Sequence, residues 1–256
     1  MRITLKLLIA IVFIGFGLSS KAQLHSFSLG PKIGLMAGAP IPHGGSSSID
    51  SSGGIPLIGP NLGMFFLVRF DEKWSFWIEG NYNRKATEYW AKANDLYYVD
   101  ETCIPLSNGG ERCAEIETIF NGTTWGKFDN RYFEIDALAR YSFNEKWHLT
   151  AGGYYSVLTK SESKVQYDGY VGASSTKTKS TKDLSLEMNS HDYGAILGFN
   201  YRYKPVLVDF RISYGLNSIV REDYTPIDYP IRNVFTQLTV AYQFFVKKET
   251  TSKSDD

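Results

Sequence analysis

The sequence predicts an all-β protein, namely an eight-stranded antiparallel up-and-down transmembrane β-barrel with short periplasmic turns and long extracellular loops. Two observations predict it: apolar and polar residues alternate with a period of two, and the links between the alternating segments are short and long in turn. A third is that no apolar run after residue 22 has the length of a membrane-spanning helix. A closed barrel is the other structure that satisfies every backbone group in lipid.

The first 22 residues are predicted to be a cleaved signal peptide. An apolar run at 7–18 follows a short basic stretch, and the small residues Ser20 and Ala22 precede the expected cleavage site. A membrane anchor fits less well because a spanning helix needs about 20 apolar residues. The predicted regions are the signal peptide at 1–22, the outer-membrane barrel domain at 23–246 and a polar periplasmic tail at 247–256.

Eight segments of the mature chain alternate as strands do. The short links between them are "DEK", "NEK" and "KPV", and the longest link is the cysteine-bearing stretch from about residue 91 to residue 130. Strict alternation of short and long links is typical of outer-membrane barrels. The predicted segments are residues 27–37, 62–70, 74–85, 132–143, 147–158, 193–203, 207–217 and 234–246.

Within each segment one face is apolar and the other is polar. In the third segment Phe76 and Ile78 share one face, while Trp77 and Glu79 share the other. A slip of one residue would exchange the faces, so the pattern strongly specifies the register. Alternation alone does not say which face is inside, so a secreted lipocalin-like barrel with an apolar interior remains an alternative.

The polar faces carry five positive and five negative side chains, which predicts an ion-paired lumen. An interior of eight strands is just wide enough to be filled by side chains, and a buried charge without a partner costs several kcal/mol. We therefore expect a closed lumen that is also filled by Trp77, Tyr132 and Tyr154. The predicted charge network consists of Lys32, Arg69, Glu79, Glu134, Asp136, Arg140, Asp192, Arg202, Asp209 and Arg211.

Aromatic residues flank the short links, most clearly in the two similar phrases "FDEKW" and "FNEKW". Amphipathic rings at strand ends are typical of the girdles that lie at the membrane–water interface. The predicted interface aromatics are Phe70, Trp74, Phe143, Trp147, Tyr201 and Tyr203.

Cys103 and Cys113 are the two cysteines, and they lie ten residues apart in "CIPLSNGGERC". In an exported protein, such a pair most simply forms a disulfide that closes a loop. Two thiols without a supporting histidine cluster make a poor metal site.

The sequence contains no convincing catalytic set. Of the four histidines, His191 stands between Ser190 and Asp192, but neighbours in a strand point to opposite faces. Lys+Arg and Asp+Glu number 27 each, so no basic surface indicates a nucleic-acid partner. We predict a protein that is not an enzyme, with no catalytic or metal-binding residues and no cofactor.

The opening strand "FSLGPKIGLMAG", the final strand "QLTVAYQFF", the signal ending "SSKAQ" and the aromatic-flanked turns resemble the outer membrane β-barrel (PorT-like) family of Bacteroidota. The resemblance covers the mature chain and implies an eight-stranded barrel in the outer membrane. Members of the family include a component linked to the type IX secretion system. One departure is that eleven residues follow Phe245, where a barrel-assembly signal usually ends at the terminal aromatic residue.

These observations predict a structural or interaction component of an outer-membrane protein assembly, in which the loops or the lipid-facing wall bind other outer-membrane or surface proteins. Outer-membrane lipid is the expected surrounding. The alternative is a narrow channel or a lipid-handling barrel, with the secreted lipocalin-like barrel behind it.

Overall fold

A computed structural model describes residues 26–43, 48–105, 110–224 and 229–246, with side chains except at 98–105, 111–116 and 245–246. The predicted signal peptide and polar tail lie outside the described residues. Within these ranges no helix is long and apolar enough to cross a membrane. The described strands are β1 (Ser26–Pro42), β2 (Ile49–Leu57), β3 (Gly59–Arg69), β4 (Trp74–Pro105), β5 (Glu111–Ser142), β6 (Trp147–Ser161), β7 (Lys164–Val171), β8 (Thr178–Asp183), β9 (His191–Tyr203), β10 (Val206–Gly215), β11 (Ile231–Tyr242) and β12 (Phe244–Val246).

Antiparallel pairing closes eight of these strands into a ring. The order around the ring is β1, β3, β4, β5, β6, β9, β10, β11 and β1 again. Each of the eight predicted segments lies on one ring strand, and β12 continues the last of them along β1. The fold is therefore an all-β antiparallel barrel whose ring is extended by β2, β7 and β8.

The two similar sequences "FDEKW" and "FNEKW" form turns that are stabilised in the same way. In the β3–β4 turn, Asp71 Oδ1 accepts hydrogen bonds from the backbone N–H groups of Lys73 and Trp74, both at 2.7 Å. In the β5–β6 turn, Asn144 Oδ1 accepts from Lys146 and Trp147, both at 2.9 Å. Asp and Asn favour turns because their side chains satisfy backbone donors locally.

Both described ends of the barrel lie beside these short turns. Ser26 at the start of β1 pairs with Arg69 at the end of β3, and Phe27 pairs with Val246 in β12. We call this the turn end of the barrel, and the opposite side the hairpin end.

The prediction of a long link at about 91–130 is wrong. β4 and β5 continue through it as one hairpin, paired as far as Pro105 and Glu111. β2 pairs with β4, β7 pairs with β5, and β8 pairs with β7, so an extension sheet of β2, β4, β5, β7 and β8 stands above the ring. Beyond the lipid a strand needs no unbroken apolar row on either face, so its alternation is weaker than in the ring.

Polar side chains fill the ring and apolar side chains cover its outside. Ile33 is 63% and Phe210 is 53% exposed, whereas Trp77 and Arg211 are each 0% exposed. The secreted lipocalin-like alternative is wrong because it required an apolar interior under a polar surface.

Two apolar clusters lie inside the molecule. The one within the ring contains Trp77, Leu138 and Leu207. The other lies at the hairpin end, where Phe120 and Phe128 of β5 pack against β7 and against side chains at 184, 188, 219–224 and 229–231. The hairpin end is thus a second packed core above the polar lumen.

Candidate functional site

The middle of the lumen contains an ionic centre around Arg211. Its guanidinium lies 2.7 Å from Glu79 Oε1, 3.3 Å from Asp136 Oδ2 and 2.5 Å from Asp209 Oδ2. Lys32 also pairs with Glu79. The alternating pattern places all five side chains inward. They come from four ring strands: Lys32 from β1, Glu79 from β4, Asp136 from β5, and Asp209 and Arg211 from β10. We call this group the Arg211 centre.

A second ionic centre lies nearer the hairpin end. Lys85 Nζ is 3.0 Å from Glu134 Oε2 and 2.8 Å from Asp192 Oδ2. It also makes cation–π contacts with two rings, at 4.4 Å from the centroid of Tyr154 and 5.1 Å from that of Tyr132. This is the Lys85 centre. Lys85 is absent from the predicted network, although it shares the inward parity of Glu79 and ends the third predicted segment, so parity alone could have found it.

Amide and hydroxyl side chains complete the two centres. Asn81 Nδ2 donates to Asp136 Oδ2 at 3.0 Å, and Asn83 Nδ2 donates to Glu134 Oε1 at 2.6 Å. Buried carboxylates therefore have both cations and neutral donors, which is the condition under which a buried ion pair is tolerated. Asn233 and Ser156 supply the corresponding bonds to Asp192 and Glu134.

The other three predicted network residues lie apart, toward the turn end. Arg140 is fully buried, and its three guanidinium nitrogens have no hydrogen-bond acceptor among the described residues. Its guanidinium lies 5.3 Å from the Trp77 ring centroid, and the charges of Arg69 and Arg202 act against it while that of Asp209 favours it. Arg69 and Arg202 are half-buried. The structure thus joins seven of the ten predicted residues in two centres and separates these three arginines.

The lumen is closed at mid-height. Trp77, Tyr132, Arg140 and Arg211 are each 0% exposed, so water does not reach their surfaces. A small cavity beside Arg69 at the turn end has a volume of about 30 Å³, which is about the volume that one water molecule occupies in the liquid. The geometry suits a rigid, filled barrel better than an open pore.

The predicted interface aromatics lie at the strand ends next to the turns. Trp74, Phe143, Trp147 and Tyr203 are exposed, while Phe70 and Tyr201 are half-buried. The Trp147 ring lies 4.5 Å from the Tyr201 ring, and the Trp74 ring lies 5.0 Å from that of Tyr141, centroid to centroid. The rings thus form cross-strand contacts along this rim.

The outward apolar row ends at a charged rim on the hairpin side. Arg84 donates two hydrogen bonds to Asp129, at 2.8 and 2.7 Å, and Lys127 lies 2.7 Å from the same carboxylate. The hydrogen bond from Arg84 lowers the pKa of Asp129 to about 2. The apolar row of β4 runs from Trp74 to Tyr82, close to the ~9–11 residues that a membrane-spanning strand needs.

Beyond this rim the outward side of the extension sheet carries large apolar side chains. Trp90 and Trp125 lie directly opposite each other and are 42% and 47% exposed. Ile119 and Tyr170 are exposed on the same side. We call these four side chains the extension face.

The two cysteines lie opposite each other in the β4–β5 hairpin, where Cys103 pairs with Cys113. Their side chains lie outside the described residues, so the disulfide stays a prediction that this register favours.

No triad is assembled around the histidines in the described part of the chain. His148 contacts Ser142, His191 contacts Tyr155 and His43 contacts Tyr214, and none of these partners is a carboxylate. Within the same ranges no group of three His, Cys, Asp or Glu side chains could hold a metal ion.

Residues 19–221 match the model of the family described as "Outer membrane protein beta-barrel domain". The chain belongs to this family. The protein is located in the bacterial outer membrane, and the exposed apolar rows of the ring are the surface that faces lipid. No curated protein matches the chain.

Several outer-membrane proteins of known structure are similar to this chain in fold, at low sequence identity. Ail of Yersinia pestis is 11% identical over 86% of this chain and 99% of its own, with a TM-score of 0.39. OprG of Pseudomonas aeruginosa is 11% identical over 88% and 99%, with a TM-score of 0.36. Neisserial surface protein A is 11% identical over 85% and 97%, with a TM-score of 0.35.

Proposed function

We propose that this protein is a non-enzymatic outer-membrane barrel that acts as a structural or interaction component of an outer-membrane protein assembly. The eight-strand ring is then the membrane-spanning barrel, with its short turns in the periplasm and its extension sheet outside the cell. The single observation that supports this most is the combination of a filled lumen with the exposed extension face. A filled lumen leaves the surfaces as the place where the protein acts.

The extension face supports the assembly role by its composition. Exposed apolar patches mark interaction sites, and tryptophan and tyrosine are enriched where protein partners bind. Because this face lies beyond the charged rim, lipid does not cover it. Partners are therefore expected among other outer-membrane or surface proteins, and not among nucleic acids.

Native gel electrophoresis of detergent-solubilised outer membranes tests the assembly role. The wild-type chain is expected in a complex larger than the single barrel, and Trp90→Ser with Trp125→Ser should release it. The matched control is Leu186→Ser, which removes an exposed apolar side chain elsewhere at the hairpin end. A wild-type chain that always migrates alone would refute the proposal.

A secretion-related role, as in PorT-like members, is a finer proposal that rests on the sequence resemblance. Its test is the set of proteins exported by a deletion strain. Loss of secreted proteins that returns with the wild-type gene, but not with the Trp90→Ser, Trp125→Ser gene, would support it. An unchanged secretome would exclude it while leaving the assembly role intact.

The alternative function is a narrow channel or a lipid-handling barrel. Swelling of liposomes that contain the protein measures passage of solutes, and a filled lumen predicts none above protein-free liposomes. Swelling that depends on the protein would favour the channel.

A further inference from the structure

A cavity of about 300 Å³ lies at the hairpin end, directly above the Lys85 centre. Thr87, the next inward residue of β4 after Lys85, contributes to its wall. The rest of the wall comes from the ends of β1 and β2, from the outer parts of β4 and β5, from β7, and from side chains near Leu184 and Tyr224. The cavity is thus separate from both ionic centres.

The cavity wall contains no charged residue among the described side chains, although 21% of the chain is charged and the lumen below is strongly ionic. Tyr89 and Phe128 stack on one side with their ring centroids 4.7 Å apart, and Tyr167, Val165 and Leu184 also line it. Ligand sites are mostly apolar with a few polar groups. Such a wall would leave a phosphate or carboxylate unpaired, so it suits an uncharged hydrocarbon.

The wall is held in place by packing. The Tyr89 ring lies over Gly126, where any added Cβ atom would collide with the ring, so glycine at 126 gives the ring its place. Phe128 and Tyr167 belong to the packed hairpin-end core. The cavity is therefore preformed, which lowers the cost of ordering side chains on binding.

The ends of β1 and β2 border this cavity without pairing with each other. β1 pairs with β3 only as far as Met36 and Gly59; beyond that point its described residues pair with β11 alone, and β2 pairs with β4 alone. Pro40 and Pro42 lie on this unpaired edge, where the missing proline N–H groups cost no ladder bond. Thr87 Oγ1 donates to the Gly38 carbonyl at 2.5 Å and so links β4 to β1 beside the cavity.

We propose that the cavity binds a compact, uncharged hydrocarbon group that enters between β1 and β2. At about 30 Å³ for each non-hydrogen atom, it holds on the order of ten of them. The group is either a free hydrophobic molecule or one acyl chain of an outer-leaflet lipid. This inference goes beyond the assembly role. Trp90 of the extension face also borders the cavity, so the tests below leave Trp90 unchanged.

Two substitutions at neighbouring residues of β2 distinguish binding in the cavity from binding elsewhere on the protein. At Gly54 an added Cβ would lie 3.4 Å from Thr87 Cγ2, an ordinary contact, so the ring of Gly54→Phe points into the cavity. Ile55 is 65% exposed on the opposite side of the strand, so Ile55→Phe is the matched control. An unchanged shift in mobility between unboiled and boiled gel samples shows that each variant has folded.

The probe is 1-fluoronaphthalene, followed by ¹⁹F NMR with the full-length protein in detergent micelles. Wild type and Ile55→Phe should give the same saturable change that empty micelles lack, and Gly54→Phe should bind at least about tenfold more weakly, a loss of about 1.4 kcal/mol. Saturable binding that is equal in all three proteins would overturn the proposal, because the cavity would not be the site.

Solvent extraction and mass spectrometry of the three purified proteins distinguish the two sources. A lipid retained at about one per chain by wild type and Ile55→Phe, but lost from Gly54→Phe, identifies an acyl chain as the occupant. Probe binding without a retained lipid identifies a free hydrophobic molecule. Absence of both a retained lipid and saturable probe binding in the wild type overturns the proposal.

Discussion

Arg211 and Arg140 are two fully buried arginines of the same lumen with opposite electrostatic surroundings. Arg211 contacts three carboxylates, whereas Arg140 has no acceptor among the described residues and is opposed by the charges of Arg69 and Arg202. Breaking a buried ion pair leaves uncompensated charge, while removing an unpaired buried charge relieves a cost. The same residue type therefore contributes to stability with opposite sign at the two positions.

Replacement of each arginine by methionine should reveal this difference. Arg211→Met is expected to lower the free energy of unfolding by about 3–5 kcal/mol, because Glu79, Asp136 and Asp209 lose their common partner. Arg140→Met is expected to be neutral or stabilising by about 1–4 kcal/mol. Urea unfolding of the protein in lipid vesicles measures both. Equal destabilisation by the two variants would contradict the assignment of their surroundings.

Asp129 provides a pH-dependent test at the charged rim. Its pKa is lowered from 3.8 to about 2, chiefly by the hydrogen bond from Arg84, so its stabilising contribution is present above pH 4 and is lost as the pH falls toward 2. Asp129 is buried, but the side chains of Arg84 and Lys127 are 29% and 38% exposed, so solvent screens the pairs and we expect only about 1 kcal/mol. The measurement is the difference in unfolding free energy between wild type and Asp129→Asn at pH 6 and at pH 2.

The control for this test removes the cation and keeps the carboxylate. In an Arg84→Met background, the pH dependence of the effect of Asp129→Asn should shrink by about half or more, since Lys127 remains. A pH dependence that is unchanged in this background would show that Arg84 is not the main cause.

At the scale of the elements, the turns and the ring strands follow from local chemistry. The aspartate or asparagine after each phenylalanine binds two backbone N–H groups and so fixes the start of the next strand. Within the lipid-facing height the outward residues are apolar with few exceptions, such as Thr236, so the eight segments could be predicted from their alternation. The extension sheet could not, because water covers one of its sides and the pattern there lacks an apolar row.

The equivalence of the two turns gives a further prediction. Asp71→Asn should leave stability unchanged within about 0.5 kcal/mol, because Asn144 makes the same two bonds in the other turn. Asp71→Ala should cost about 1–2 kcal/mol, since it removes the oxygen that accepts both hydrogen bonds. Unfolding in urea measures the pair. A loss on Asp71→Asn as large as that on Asp71→Ala would mean that charge, and not the two turn bonds, matters here.

At the scale of the whole molecule, polarity is inverted relative to a soluble barrel. The charged faces turn inward and neutralise one another in two centres, and the apolar faces turn outward over the height of the lipid. Most of the charge network was predictable because parity and charge balance are visible in the sequence. The rest was not predictable in this way. The separation of Arg140, the part played by Lys85 and the cavity above it depend on how far along the barrel axis each side chain lies, and alternation says only which face of the strand a side chain is on.

The most direct test of this inversion is the accessibility of spin labels along β10 in lipid vesicles. Single cysteines replace Val208, Phe210 and Ile212 in turn, in a chain whose Cys103 and Cys113 are changed to serine, and Leu186→Cys is the control outside the lipid. The three β10 labels should collide often with oxygen and rarely with a water-soluble nickel chelate, with the opposite result at residue 186. Frequent collisions of the nickel chelate with the three β10 labels would contradict the account, because its central claim places these side chains in lipid.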